Sequence, residues 1–566
     1  MKYQGHNKKQ LLEIYKLMVL SRKLDEKQLI LLKQGKGFFH IGASGHEAAT
    51  IAAAHALKPS YDYAYPYYRD QAFCLAYGMT PEEILLSFLA KEDDPNSGGR
   101  QMPQHYGHKK LNIVSQSSPT GTQYLQAVGA AFALQRDNSD AAVYVSSGEG
   151  TVSQGDFHEA LNWSSREKAP VIFHIENNGY AISVPLSEQL SGESVYKISA
   201  GYENLARFSI DGTNYFESLL AFKKAVDRAR KGEGPTVIES NVVRLLPHSS
   251  SDDHRKYRNE EDLKAEKLKD PITVFINDCV KNNIINLKEF DKIEIQVSKY
   301  INEITEWAEE QPNPDSKDYS LNLYGEQKSF MTSPASEGDS IVLVDAINHA
   351  LEEELSFNNN TLIYGQDIAG GKGGVFTATR GLTDKFGTNR VFNSPLAESS
   401  IIGTAIGLST LGYKPIVEIQ FGDYIWTSMM QIRNEVATLR YRSNGNWSCP
   451  FVMRVPVGGY IHGSLCHSQS IDGYFAHMPG IKIAFPSNAA DAKGLLKSAC
   501  RMDDPVLFLE HKGLYRQGFA TAPEPDENYL LEFGKANIVQ SGDDITIVTW
   551  GAIVQKSIEA SKNTNY

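Results

Sequence analysis

Between positions 141 and 178 a short apolar run, a helical stretch and a second apolar run follow one another, each run ending in a polar, glycine-containing turn. Ala141 to Ser146 leads into Gly148-Glu149-Gly150, Gln154 to Arg166 has helical spacing, and Pro170 to Ile175 leads into Asn177-Asn178. A strand, a helix and a strand at this spacing form a βαβ unit, which requires a parallel sheet with helices over its faces. Ligands of such sheets sit where strands end and loops begin. That places Glu149 and Asn178 on the ligand edge. A Mg²⁺-bound diphosphate needs hard oxygen ligands. Glu149 offers a carboxylate, Asn178 an amide oxygen and Tyr180 a backbone carbonyl, while Gly148 and Gly150 let the chain approach phosphates closely. A Gly-x-Gly after a strand is also what a plain tight turn looks like. The position of Asn178 at the next strand end carries the sharper reading.

The rest of the chain is organised around a second α/β pattern. Apolar residues Leu11, Ile14, Tyr15, Met18, Leu29 and Leu32 predict an amphipathic helix from about Lys9 to Gly35. Two charged helical stretches are expected between Asn259 and Glu310, followed by a Pro/Ser/Gly-bearing linker at 326–338. Strands are predicted at 362–365, 416–419, 451–455, 481–484 and 506–509, with helical segments between most of them. A further piece opens near Glu532 with a strand expected at Ile545–Thr549. The chain then stops at Tyr566, and the sequence reads as cut short inside a third domain. The expected division is therefore 1–325, a linker at 326–338, 339–525, and the incomplete start of a last domain at 526–566.

Composition narrows the class. A net charge of −12 with no basic stripe argues against nucleic acid as a partner. No stretch reaches the roughly 20 apolar residues of a membrane span, and the polar start lacks the pattern of a signal peptide. The five cysteines, Cys74, Cys279, Cys449, Cys466 and Cys500, form no CxxC pair, which fits free thiols in a reducing compartment. A cytoplasmic protein is expected.

Several further stretches converge on one family: Tyr68-Arg69-Asp70, Gly99-Arg100-Gln101-Met102-Pro103, His248-Ser249-Ser250-Ser251-Asp252-Asp253, Ser394-Pro395-Leu396-Ala397-Glu398, Glu418-Ile419-Gln420-Phe421, and His462-Gly463 with His467-Ser468-Gln469-Ser470. With the Glu149–Asn178 pair, they make the chain resemble the thiamine-diphosphate-dependent decarboxylating component of 2-oxo acid dehydrogenase complexes, with its α and β subunits fused. The branched-chain type is the nearest likeness. The resemblance implies two transketolase-like α/β domains with doubly wound parallel sheets, plus the start of a C-terminal transketolase-like domain. It implies thiamine diphosphate and Mg²⁺ held between the halves of a homodimer, a 2-oxo acid substrate, and a lipoyl-bearing dihydrolipoyl acyltransferase as partner.

The same resemblance distributes roles. Tyr68 and Arg69 hold the diphosphate, and Glu149, Asn178 and Tyr180 the Mg²⁺. Ser118 and Thr120 meet the aminopyrimidine ring, and Gln420 and Tyr424 line the cofactor and substrate region. Ser117, Pro119, Thr122 and Gln123 match a monovalent-cation site, implying K⁺. Glu398 activates the ring through its pyrimidine nitrogen, while His248 and His467 move protons during acyl transfer. Four departures stand out, the largest being the missing remainder of the last domain. Glu176 occupies a position where branched-chain members often carry an arginine, so Arg244 or another cation is expected to compensate. Thr120 replaces a usual aliphatic residue, and Ser249 to Ser251 occupy a loop modified by kinases in eukaryotic relatives. Pyruvate- or acetoin-type dehydrogenases, a transketolase-like transferase and a non-catalytic assembly subunit stay open as alternatives.

Overall fold

The computed structural model describes residues 2–327 and 338–562. The chain divides into two compact units: residues up to 321 together with 441–447, and the remainder. Most of the linker expected at 326–338 lies outside the described residues.

The first unit is built on five parallel strands, β1 (Tyr63–Tyr65), β2 (Val143–Gly148), β3 (Val171–Asn177), β4 (Ala206–Asp211) and β5 (Thr236–Asn241), in the order β1-β2-β3-β5-β4. The strands of the predicted βαβ unit are buried on both faces: Val143, Tyr144, Val145, Val171, Ile172, Phe173 and Ile175 are inaccessible. This is why they read as continuous apolar runs rather than alternating ones. Helices α1 (Lys8–Lys33), α2 (Glu47–Ala56), α3 (Thr122–Arg136), α4 (Gly155–Arg166) and α5 (Tyr215–Arg230) belong to this unit. The expected first helix is α1, started by a capping box. Asn7 Oδ1 accepts from Gln10 N at 3.0 Å, and Gln10 Oε1 accepts from Asn7 N at 2.9 Å.

Where two charged helices were expected there are three: α6 (Glu260–Lys267), α7 (Pro271–Lys281) and α8 (Leu287–Glu310). The break comes from Asp270-Pro271. Pro271 fits the first turn of a helix and Asp270 caps it by accepting from Ile272 N at 3.0 Å.

The second unit carries a six-stranded parallel sheet of β6 (Thr361–Gly365), β7 (Val391–Asn393), β8 (Lys414–Glu418), β9 (Val452–Val457), β10 (Lys482–Ala484) and β11 (Val506–His511), ordered β7-β6-β8-β9-β11-β10. Helices α9 (Leu343–Phe357), α10 (Glu398–Thr410) and α11 (Ala489–Arg501) accompany it, and α12 (Ala552–Lys562) follows. The five predicted core strands are all present. The strand expected at Ile545–Thr549 is not: the segment is irregular, and Ile545, Ile547 and Val548 are 76%, 56% and 79% exposed. Its apolar pattern suits a strand, but among the described residues no strand lies beside it to complete a ladder. Among those residues, too, no helix is long and apolar enough to cross a membrane. The five cysteines are free, four of them buried and Cys466 exposed.

Candidate functional site

The register of the first sheet brings the expected ligand edge together. Gly148 pairs with Glu176, and Asn177 with Asn241, so Glu149 and Asn178 leave adjacent strands side by side. Glu149 is buried, and its Oε2 accepts from Asn178 N at 3.2 Å. Asn178 Oδ1 turns back to accept from Tyr180 N at 3.3 Å. Gly150 is demanded by packing, because a Cβ there would lie 2.4 Å from Ala181 Cβ. Gly148 is not: its backbone is extended and a Cβ would meet only Tyr67, at 3.5 Å.

Two buried groups of opposite charge at this edge lack partners. Glu149 Oε1 has none, and neither do Nε and Nη1 of Arg244. Arg244 is buried. Its Nη2 donates to Ile182 O and to the Tyr257 hydroxyl, both at 2.9 Å, and its guanidinium lies 5.7 Å from the Tyr180 ring centre. Ile182 is held at φ +58°, a strained left-handed conformation for a β-branched residue, which aims its carbonyl at Arg244. Burial lowers the Arg244 pKa, and the charge of Arg69 lowers it further. Burial raises the Glu149 carboxyl, against Arg244 and Arg69, which draw it down. An unpartnered carboxylate oxygen for a hard cation and two unpartnered N–H groups for an anion are what a Mg²⁺-bridged diphosphate requires. The donor set fits that group.

Tyr68 and Arg69 stand at the same edge. Arg69 is buried, donates to Gly42 O at 2.5 Å, and reaches His248 through both Nδ1 (3.1 Å) and the carbonyl (3.0 Å). The Tyr68 ring packs edge-on to His248 at 6.1 Å. Burial, then the Arg69 and Arg244 charges, lower the His248 pKa to about 4. The ring is therefore neutral at physiological pH, with Nδ1 accepting from Arg69 and its proton on Nε2. The loop holds itself in place: His248 N donates to Asp252 Oδ2 at 2.8 Å and Ser250 N to His40 O at 2.8 Å.

Glu176, the departure noted in the sequence, is buried. Burial and the neighbouring Asp70 push its carboxyl well up, and it lies 2.5 Å from His46 Nδ1. Burial drives His46 well below its usual range. Burial thus disfavours the charged form of both partners in this contact. Arg244, the cation expected to compensate, is buried at the same edge with two N–H groups unpartnered.

The segment 117–123 is drawn to the same strand end by Gln123, whose Nε2 donates to Ser146 O at 3.1 Å while its Oε1 accepts from Gly121 N at 2.9 Å. Thr122 Oγ1 donates to Pro119 O at 3.2 Å, and Ser118 Oγ donates to His105 Nε2 at 2.8 Å. Ser118 is exposed; Ser117 and Thr120 are half-buried.

In the second unit the predicted residues form one connected chain. Glu398 opens α10. Its Oε1 accepts from Gln366 Nε2 at 3.2 Å, and its Oε2 lies 3.2 Å from the Thr427 hydroxyl. Gln420 Nε2 donates to Asp367 Oδ2 at 2.8 Å. The Thr427 hydroxyl also lies 3.2 Å from the Tyr424 carbonyl, and the Tyr424 hydroxyl donates to His467 Nε2 at 2.8 Å. His467 Nδ1 donates to Gly463 O at 3.0 Å, so the hydrogen bonds define its tautomer. His462 and Ser464, on either side of Gly463, are both held at φ +56°. This is strained backbone stored beside the histidine. Gln366 and Thr427, which hold the Glu398 carboxylate, were not identified from the sequence. Gln366 directly follows β6 and Thr427 lies in the helical turn Gly422–Ser428, and only the fold brings them together.

The dehydrogenase E1 component family matches residues 15–317, and the transketolase pyrimidine-binding domain matches residues 339–517. Over 308 residues the chain is 42% identical to the 2-oxoisovalerate dehydrogenase subunit alpha of Bacillus subtilis, covering 54% of this chain and 93% of that protein. Over 219 residues it is 49% identical to the subunit beta of the same enzyme, covering 39% of this chain and 66% of that protein. It is 45% identical over 221 residues to the pyruvate dehydrogenase E1 component subunit beta of the same organism, covering 39% of this chain and 67% of that protein. The chain thus spans about two thirds of the length of its beta-subunit relatives. It belongs to the dehydrogenase E1 component family, with an alpha-like domain fused to a beta-like, transketolase-type pyrimidine-binding domain.

Proposed function

We propose that this protein is a thiamine-diphosphate- and Mg²⁺-dependent 2-oxo acid dehydrogenase component. It decarboxylates a 2-oxo acid and passes the acyl group to the lipoyl group of a dihydrolipoyl acyltransferase core. The unpartnered Glu149 Oε1 facing the same edge as the unpartnered Arg244 Nε and Nη1 is the observation that carries this reading.

Glu149, Asn178 and the Tyr180 carbonyl hold Mg²⁺, and Arg244, Arg69 and Tyr68 hold the diphosphate. Thiamine diphosphate, when bound, supplies the carbon nucleophile and the electron sink that decarboxylation needs. Glu398, fixed by Gln366 and Thr427, would exchange a proton with the pyrimidine ring nitrogen of the bound cofactor. Gln420, Ser118 and Thr120 line the ring and substrate region. His467, its Nε2 paired with the Tyr424 hydroxyl, exchanges a proton with the substrate side. His248 presents its Nε2–H for acyl transfer to the lipoyl sulfur. Ser117, Pro119, Thr122 and Gln123 form a K⁺ site that stiffens the turn before α3.

Branched-chain 2-oxo acids are the proposed substrates, since the alpha-like half and one beta-type relative both point to 2-oxoisovalerate enzymes. We further propose a cytoplasmic homodimer with domain limits near 325, 339 and 526. A coupled assay tests the activity: 2-oxo acid, lipoylated acyltransferase, dihydrolipoyl dehydrogenase, coenzyme A and NAD⁺, followed by NADH. Turnover on 2-oxoisovalerate well above pyruvate is expected. Preference for pyruvate would correct the substrate, and no lipoyl-dependent NADH with any 2-oxo acid would refute the function.

A further inference from the structure

Lys512, in the turn directly after β11, is 1% exposed, and its ammonium makes no hydrogen bond. A buried ammonium without a partner costs free energy, so its presence calls for a compensating use. Two groups face it, both from the segment that carries Tyr424. The ammonium sits over the Phe421 ring, 5.5 Å from its centre. Asp423 is the carboxylate that draws it electrostatically; its Oδ1 is also buried without a partner, and the two groups form no ion pair within 4.0 Å.

Beyond these two groups lies the proton-transfer pair. Phe421 packs edge-on to His467 at 4.7 Å and to Tyr424 at 5.2 Å. Asp423 Oδ2 accepts from Gln469 N, in the loop of His467, at 3.4 Å. A single cation therefore pulls on the turn that holds Tyr424 and, through Asp423, on the loop that holds His467.

We infer that Lys512 is a positioning residue: its buried charge clamps Phe421 and Asp423 so that the Tyr424 hydroxyl and His467 Nε2 stay in register. The inference rests on the role proposed above for His467. Lys512 does not touch the substrate. A buried cation–π contact contributes enough to shift such an alignment about tenfold or more.

The test uses the enzyme loaded with thiamine diphosphate and Mg²⁺, with Lys512→Met, Lys512→Arg and His467→Ala measured side by side. The readouts are thermal stability, cofactor affinity by calorimetry, and acyl transfer to a lipoylated domain. Lys512→Met removes a buried, unpartnered charge while keeping the length of the chain. It is expected to melt at or above the temperature of the parent, to bind cofactor normally, and to lose acyl transfer about tenfold. Lys512→Arg, which restores the charge, is expected to recover most of it. A Lys512→Met variant within twofold of the parent in acyl transfer would overturn the inference. So would one that loses stability, cofactor binding and transfer together, since that is the mark of a merely structural lysine. If His467→Ala itself leaves transfer unchanged, the role of His467 falls first and the inference falls with it.

Discussion

Replacing Arg244 with methionine separates binding from folding. Two of the guanidinium nitrogens, Nε and Nη1, are buried without partners, and the third, Nη2, bonds Ile182 O and the Tyr257 hydroxyl. In the cofactor-free protein the two unpartnered donors carry a desolvation penalty of about 1–3 kcal/mol each. The bonds made by Nη2 offset much of that, at about 1.5–3 kcal/mol each for a charged donor. Tyr257 stays satisfied through Asp252, so only Ile182 O loses its partner. Arg244→Met is therefore expected to leave the stability of the apoprotein within about 1 kcal/mol of the parent. With the diphosphate bound, the two free donors become charge-assisted hydrogen bonds contributing about 3–6 kcal/mol together. Each 1.4 kcal/mol is a factor of ten in affinity, so Kd should weaken roughly 10²–10⁴-fold. Calorimetric titration with thiamine diphosphate at saturating Mg²⁺, beside thermal unfolding of the apoprotein, measures both. A Kd within threefold of the parent, or a large loss of apoprotein stability, would refute the reasoning.

Three further outcomes are expected. Glu398→Gln should fold and bind cofactor like the parent but lose decarboxylation by orders of magnitude, and near-normal turnover would remove Glu398 from its role. His248→Ala should reduce acyl transfer to lipoate more than decarboxylation read with an artificial electron acceptor, and equal losses would count against it. His248 also sets a pH dependence. Its folded pKa of about 4 lies below its ordinary 6.5, so the unfolded chain binds the extra proton between those values. Its contribution to stability is full above about pH 6.5 and is lost as the pH falls toward 4. Denaturant midpoints should drop less between pH 7 and pH 4.5 in His248→Gln than in the parent.

The parts of this site that the sequence made legible are those where one residue type is needed at a strand end. Glu149 and Asn178 could be placed because glycines and asparagines punctuate buried apolar runs, and register then aligned them without further information. The motif marks Gly150 for phosphate approach, and the fold adds that Ala181 leaves no room there for a side chain. Arg244 was named only as a compensating cation, because its missing partners are a tertiary fact. Gln366, Thr427 and Lys512 lie far apart in the chain, and nothing local marks them. The Glu176–His46 contact joins residues 130 positions apart, and the burial that disfavours charge on both is marked by no local pattern. The segment Ile545–Thr549 failed for a related reason: apolar alternation signals a strand only where another strand is available to pair.

The central claim is that Glu149 anchors Mg²⁺ and, through it, a diphosphate cofactor. Calorimetric titration of thiamine diphosphate with and without Mg²⁺, in the parent and in Glu149→Gln, tests it most directly. Binding should depend on Mg²⁺ in the parent and weaken at least about 100-fold in the variant, the loss expected when a carboxylate ligand to a hard cation is neutralised. Binding that ignores Mg²⁺, or a variant that binds as the parent does, would contradict it.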